Sequence, residues 1–224
     1  MAYYHGAKAS KQATTVSTPV TADSSIHFIV GAAPAHTVGG AVNEPILAHS
    51  YAEAVQAMGY SEDWKKYDIC EEIYASFRLY QNGPIVMVNV LDPAKHLTGE
   101  STEDMTLAAG VTDLPFEALA DSVVVRGYNG EEELTEDYGR GIDYDLIYTD
   151  GVLRLERIEG GKITSDTAKL NIKFNAVDPS KVTKADVIGG YDTATKKSKG
   201  FELVDSVFPK YRVIPTLFLA PNFS

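Results

Sequence analysis

The densest run of chemically capable side chains is the acid series Glu131, Glu132, Glu133, Glu136, Asp137, Asp143 and Asp145. Carboxylates hold a hard cation when several oxygens converge on a tight loop at about 2.3–2.6 Å. They can also divide acid and base duties when their surroundings push their pKa values apart. This series matches neither pattern. A calcium loop flanked by helices needs alternating acids followed by a glycine, and that spacing is missing here. Asp143 and Asp145 have the offset of a metal-binding pair. In a strand, however, the two would share one face, read as the wet one, while Ile142, Tyr144 and Leu146 share the other. The acids are therefore read as a solvated face. Weak calcium binding and paired catalytic carboxylates are the alternatives, in that order.

Other familiar chemistry is missing. Gly31, Gly39 and Gly40 lack the Lys-Ser/Thr pair of a phosphate loop, and no Gly-x-Ser-x-Gly elbow marks a serine nucleophile. The histidines are His5, His27, His36, His49 and His96, and none has the i, i+4 spacing of a helical zinc pair. His27 and His49 fall in or beside strands and are read as structural. Cys70, the single cysteine, is read as a small buried hydrophobe. No catalytic residue, metal ligand or cofactor is expected.

Net charge is −11, and residues 100–150 carry 14 acids against 2 bases. A chain this acidic repels phosphate backbones, so no nucleic-acid partner is expected. No apolar run approaches the roughly 18 residues of a membrane span, and Met1 to Pro19 lacks the apolar core of a secretory signal. Membrane insertion is not expected, and synthesis in the cytoplasm is. At 224 residues the chain can bury a core without disulfides.

The elements that would position these residues divide the chain in three. Residues 1–25 are polar, and the Thr/Ser/Val alternation around Thr14 to Val20 suits an extended arm that adds to a sheet edge. Residues 26–95 read as strand, strand, helix, helix, strand. Ile26 to Gly31, Pro45 to Ala48 and Ile85 to Leu91 are the strands. Ser50 with Glu53 caps a helix ending at Gly59, and Ile69, Ile73, Phe77 and Tyr80 form a helical stripe over Asp68 to Gln81. Lys95 to Ala120 reads as a connector with a short helix near Phe116. Val123 to Val125, Tyr144 to Tyr148, Val152 to Ile158 and Lys169 to Phe174 are strands, and Asp150-Gly151 is a hairpin turn. Val182 to Ile188 fits a helix or a strand, and Thr193 to Lys199 is a basic loop. Val213, Ile214 and Leu217 to Ala220 read as a strand covered on both faces, as in a parallel sheet. Earlier segments, another chain or further sequence must cover it, which suits a piece of an assembly. The expected fold class is α+β. An α/β body (26–95 plus 186–224) is interrupted by an antiparallel sandwich or barrel inserted at 96–185.

Taken in order, these pieces resemble the sheath protein of a contractile phage tail. The likeness rests on Ile29-Val30-Gly31, then Asn43-Glu44-Pro45-Ile46-Leu47 leading to Ser50, then the helix ending at Gly59. It continues through Asn82-Gly83 before Ile85 to Val90, Gly141-Ile142-Asp143-Tyr144 with Asp150-Gly151, and Ile214-Pro215-Thr216-Leu217 with Leu219-Ala220-Pro221. Members of that family usually continue well past this length, so the resemblance implies an N-terminal portion. It also implies a structural, non-enzymatic subunit of a virion tail or prophage device, assembled in the host cytoplasm. Copies of the chain would form a helical tube around an inner tail tube protein and contract to eject it. Residues 1–25 would link neighbours, with Tyr3, Tyr4, Val16, Thr18 and Val20 at the subunit interface. A rival reading makes 121–180 a carbohydrate- or protein-binding module presenting Tyr128, Tyr138 and Tyr148. A third, a small metal-dependent hydrolase using the acid series, is the least favoured.

Overall fold

The chain enters its first strand, β1 (His27–Gly31), directly into a core position: Phe28, Ile29 and Val30 are fully buried. The computed structural model describes residues 26–223 apart from 130–131, 150, 165–166, 168 and 194–195. The arm, with Tyr3, Tyr4, Val16, Thr18 and Val20, lies outside the described residues. After β1 come β2 (Ile46–Ala48), α1 (Tyr51–Met58), α2 (Asp68–Tyr74) and β3 (Ile85–Asn89). Ser50 caps α1 by accepting from Glu53 N at 3.3 Å, and Glu53 reaches back to His49 N at 2.8 Å. That is the pairing the Ser-x-x-Glu spacing predicts, displaced by one residue. Beyond Tyr74 the expected longer helix widens into a π turn over Ala75–Leu79.

The middle of the chain is all strand: β4 (Leu97–Thr106), β5 (Val111–Asp113), β6 (Val124–Asn129), β7 (Glu132–Asp137), β8 (Tyr144–Thr149), β9 (Val152–Arg157) and β10 (Lys169–Val177). Then follow α3 (Lys184–Ile188), β11 (Gly190–Asp192), β12 (Lys197–Lys199), α4 (Val207–Tyr211) and β13 (Leu217–Leu219). The short helix expected near Phe116 is absent. A single 3-10 turn at Ala120–Ser122 follows instead.

One sheet has the order β13-β1-β3-β2, with β13 and β3 parallel to β1 and β2 antiparallel to β3. Its two faces are covered by different elements. Phe28, Val30, Val86 and Val88 pack with Tyr67, Val187, Leu203 and Val207, while Ile29, Ile85 and Met87 pack with Ala54, Met58, Ile69 and Ile73. Coverage on both sides explains why β3 is buried at every position and reads as an unbroken apolar run. The middle strands form two open antiparallel sheets, β4-β10-β6-β7 and β5-β9-β8. Val125, Leu170, Ile172 and Phe174 from the first share a core with Tyr144, Leu146, Leu153 and Leu155 from the second. Neither sheet closes, so the barrel alternative is corrected: the strands make two facing layers.

The strand expected from Val213 to Ala220 is shorter. β13 takes only Leu217–Leu219, parallel to β1, with Leu217 43% and Phe218 50% exposed. Earlier sequence covers it only in part. Phe218 rests on Phe28 and Phe201, at 5.9 and 6.5 Å between ring centres, and Leu219 packs beside Ile29. An apolar run records that a strand prefers burial, not how many of its sides are filled.

Candidate functional site

Four polar side chains converge where α2 passes the start of β1. His27 Nδ1 lies 2.7 Å from Glu72 Oε1, and Ser76 Oγ donates to the same oxygen at 2.6 Å. Asn82 Nδ2 lies 3.2 Å from His27 Nε2. Ser, His and Glu in contact invite comparison with a hydrolytic triad, but the wiring is wrong for one. A triad needs the serine on the ring nitrogen opposite the carboxylate, so that the imidazole takes its proton. Here Ser76 and Glu72 both address Nδ1, Ser76 from 3.4 Å, and Asn82 occupies Nε2. The serine proton is committed to the carboxylate and no base is directed at it. The cluster joins strand to helix and does not activate a nucleophile. Glu72→Ala is expected to cost about 1–3 kcal/mol, because it leaves partly buried donors of His27 and Ser76 unanswered; a urea unfolding series on both proteins measures it.

The histidine-rich seam between the parallel-sheet body and the strand-rich middle is better connected. His36 Nε2 donates to Phe116 O at 3.1 Å, and the Phe116 ring meets His36 at 5.9 Å and Tyr67 at 5.6 Å. Burial pushes the His36 imidazole below its usual range, partly countered by the Phe116 carbonyl and the nearby Glu117. Lys66 pairs with Glu117 at 2.8 Å on the rim. At the neck, Asp178 N donates to His96 O at 2.8 Å. His96 Nδ1 accepts from Asp92 N at 2.9 Å, so its proton sits on Nε2, 3.6 Å from Asp186 Oδ2. Burial alone would raise the Asp186 carboxyl, yet hydrogen bonds from Lys95 and Thr183 hold it well below the usual range. Asp186 also closes the capping box of α3 with Thr183. The two strands of chain crossing between body and middle are thereby fastened to each other, a connection no sequence motif announced.

The acid series disperses. Glu136 pairs with Lys162 at 3.1 Å and Asp137 with Arg126 at 2.6 Å. Asp143 is 3% exposed and accepts from Lys162 N at 2.8 Å and Gly139 N at 2.7 Å, bonds that hold its carboxyl below the usual range. It therefore pins a loop, while Ile142 is 69% exposed, the reverse of the alternation expected from sequence. The cause is the turn at 139–143, where Asp143 N bonds Gly139 O and strand alternation has not yet begun. The side chains of Glu131, Glu132 and Glu133 lie outside the described residues. Among the described residues no group of three His, Cys, Asp or Glu side chains is placed to hold a metal ion.

The tyrosines of the binding-module reading are engaged internally. Tyr148 donates to Ala118 O at 3.0 Å, Tyr138 packs against the strand core, and Lys169 Nζ covers the Tyr128 ring at 4.6 Å. His49 is exposed and contributes only its backbone N–H. Cys70 is fully buried, and burial pushes its thiol up to about 12, as expected of an inert packing residue.

What remains uncovered is surface of another kind: an open sheet edge at β13, with half-exposed Leu217 and Phe218, and the largely exposed Tyr80 beside it. Exposed apolar side chains on an unpaired edge mark a place where protein meets protein. No protein-family model matches the chain. A protein described as tail sheath protein, from Burkholderia phage BcepMu, is 26% identical over 223 residues, which is 99% of this chain and 43% of that relative. The chain resembles a phage tail sheath protein. Likeness to a sheath runs through both the parallel-sheet body and the strand-rich middle, and it matches the family read from the ordered residues. The chain spans less than half the length of that sheath relative. No described helix is long and apolar enough to cross a membrane.

Proposed function

We propose that this chain is a structural portion of a contractile tail sheath subunit, working in a virion tail assembled in the host cytoplasm. The observation that carries the reading is similarity to a tail sheath protein along nearly the whole chain. In this reading, copies associate helically around an inner tail tube protein and slide as the sheath shortens. Identical subunits joined through unlike surfaces generate a helix. Such subunits must stay tethered while they move, which calls for stiff bodies and extended links. The seam through His36, Phe116 and Tyr67 and the Asp186 neck supply stiffness. Residues 1–25 would supply a link, with Tyr3, Tyr4, Val16, Thr18 and Val20 adding strand to a neighbour. The division proposed is a body (26–95 and 186–224) carrying the segment 96–185 as an inserted β-layer unit whose acidic face points outward. No cofactor or nucleic acid takes part.

Immunogold labelling tests this directly. Antibodies raised against the chain are expected to decorate intact phage tails along the shaft, with the label spacing shortening on contraction. Label confined to the head or the baseplate would overturn the proposal.

A further inference from the structure

Phe116 belongs to the strand-rich middle by its backbone and to the body by its ring. Its loop is bonded to the middle on both sides: Leu114 N donates to Leu153 O at 2.8 Å, and Leu119 N donates to Asn175 O at 2.9 Å. The ring packs into the body's core, against Tyr67 and His36. His36 in turn stands on a 3-10 turn, Ala35–Thr37, that is fixed to the body. A Cβ on Gly40 would stand 2.2 Å from Ala57 O, so this turn is pressed against α1. The other attachment between the two parts is the neck, where Asp178 N donates to His96 O and Asp186 faces His96. Between the two attachments lies a cleft of about 630 Å³, with His36, Gly40 and Pro93 on the body's side and Leu119, Arg140 and Tyr148 on the other. Two parts joined at one end, touching at the other and open between have room to turn about the joined end.

The imidazole is the part of this contact that a proton can reverse. Nε2 carries the proton of the neutral ring, since it donates to Phe116 O at 3.1 Å. Nδ1 is buried and has no hydrogen-bond partner among the described residues. Protonating Nδ1 would set a second N–H and a full charge where nothing accepts them. Burial accordingly lowers the affinity of His36 for that proton. The charged groups nearby do not reverse this. Glu117 favours the imidazolium but is paired with Lys66 at 2.8 Å, and Arg140 across the cleft is paired with Asp121 at 3.6 Å. The turn that carries His36 holds no acid. With the contact broken, both ring nitrogens meet water and ordinary imidazole affinity returns. Protons then bind the open form more tightly than the closed one, so acid draws the equilibrium toward opening.

We propose that the contact of His36 with Phe116 is an acid-released latch, whose opening frees the strand-rich middle to swing about the His96–Asp186 neck while both parts stay folded. The latch is a property of a single copy and does not rest on the sheath reading. At neutral pH it is shut, and the two parts move as one.

Distances between spin labels on the full chain test this. Gln56→Cys on α1 and Glu103→Cys on β4 place one label on each part at exposed positions, and the native Cys70 is fully buried and takes none. The expected result is a single distance at pH 7.5 and a second one that grows toward pH 5. The open-to-latched ratio should rise by at most about tenfold per pH unit, the slope of one proton. His36→Gln keeps a donor for Phe116 O and does not titrate, so it should hold the single distance throughout. Phe116→Ala should show the second distance already at pH 7.5; if it fails to fold, Phe116→Leu carries the same test with a smaller open share. Circular dichroism at both pH values checks that secondary structure is kept. One distance at every pH, an equal acid response in His36→Gln, or Phe116 variants that match wild type at pH 7.5 would each overturn the proposal. So would loss of the dichroism signal at pH 5, which would mean that the parts unfold together.

Discussion

Asn89→Ala is expected to lower the unfolding free energy by about 3 kcal/mol and the melting temperature by about 6–12 °C. Asn89 ends β3 and is 1% exposed. Its Oδ1 accepts from Ala33 N and from Leu91 N, both at 3.0 Å, and its Nδ2 donates to Leu91 O at 3.3 Å. One amide thus answers three backbone groups at the point where two strands leave the sheet. Alanine removes all three partners and adds none, and a site this enclosed admits little water to replace them. Differential scanning calorimetry gives the answer, and a fall below 2 °C would mean the backbone satisfies itself by other means. Asn89→Asp separates donor from acceptor. It keeps the Oδ1 bonds but turns a carboxylate oxygen toward Leu91 O, so its loss should be greatest at neutral pH and ease toward pH 4.

Asp68 supplies the second large effect, a dependence of stability on pH with unusual sign. The side chain is 2% exposed at the head of α2; Ala32 N donates to Oδ1 at 2.6 Å, and Oδ2 has no partner. Burial raises the carboxyl from 3.8 to about 7, despite bonds from the Ala32 and Ile69 N–H groups. Between those values the folded protein keeps a proton that the unfolded chain has lost. Unfolding then releases protons, and stability falls as pH rises through the window. The contribution is complete below about pH 4 and gone above about pH 7, and at 1.36 kcal/mol per unit its ceiling is about 4 kcal/mol. His36 acts oppositely: its lowered pKa makes stability rise with pH up to about 6.5, trimming the net loss. Asp68→Asn, which mimics the protonated acid, should remove the decline. Urea denaturation of both proteins at pH 4.5 and 7.5 measures it, and parallel curves would show that Asp68 is ionised throughout. The glycine at position 31 makes room for this carboxyl, since a Cβ there would meet Asp68 Oδ1 at 2.3 Å.

What the sequence disclosed follows from how much of each pattern was local. Ser50 with Glu53 and Gly59 marks α1 because capping is settled within one turn. Asp150-Gly151 marks the β8–β9 hairpin, where Thr149 pairs with Val152 across a two-residue loop. β4 escaped notice for the opposite reason. Leu97 to Thr106 is polar and mostly exposed, so an edge strand that packs on little carries no alternation. β7, the opposite outer strand of that sheet, is as polar in sequence over Glu132–Asp137. The His27 cluster and the Asp186 neck were illegible because their members stand 45 and 91 residues apart and meet only after the sheet has formed. The family resemblance survived these misses because it rested on the order of many weak marks.

The pairing of His27 with Leu217 has a consequence for biosynthesis. The central strand of the body is made first, while one of its two neighbours emerges roughly 190 residues later, which at about 5–20 residues per second means some 10–40 s on the ribosome. The strand-rich middle draws its core from residues 105–176 alone and can fold within that interval. β1 must wait with its Leu217 side unpaired, so the nascent chain is most open to wrong pairings while its most regular part is already finished.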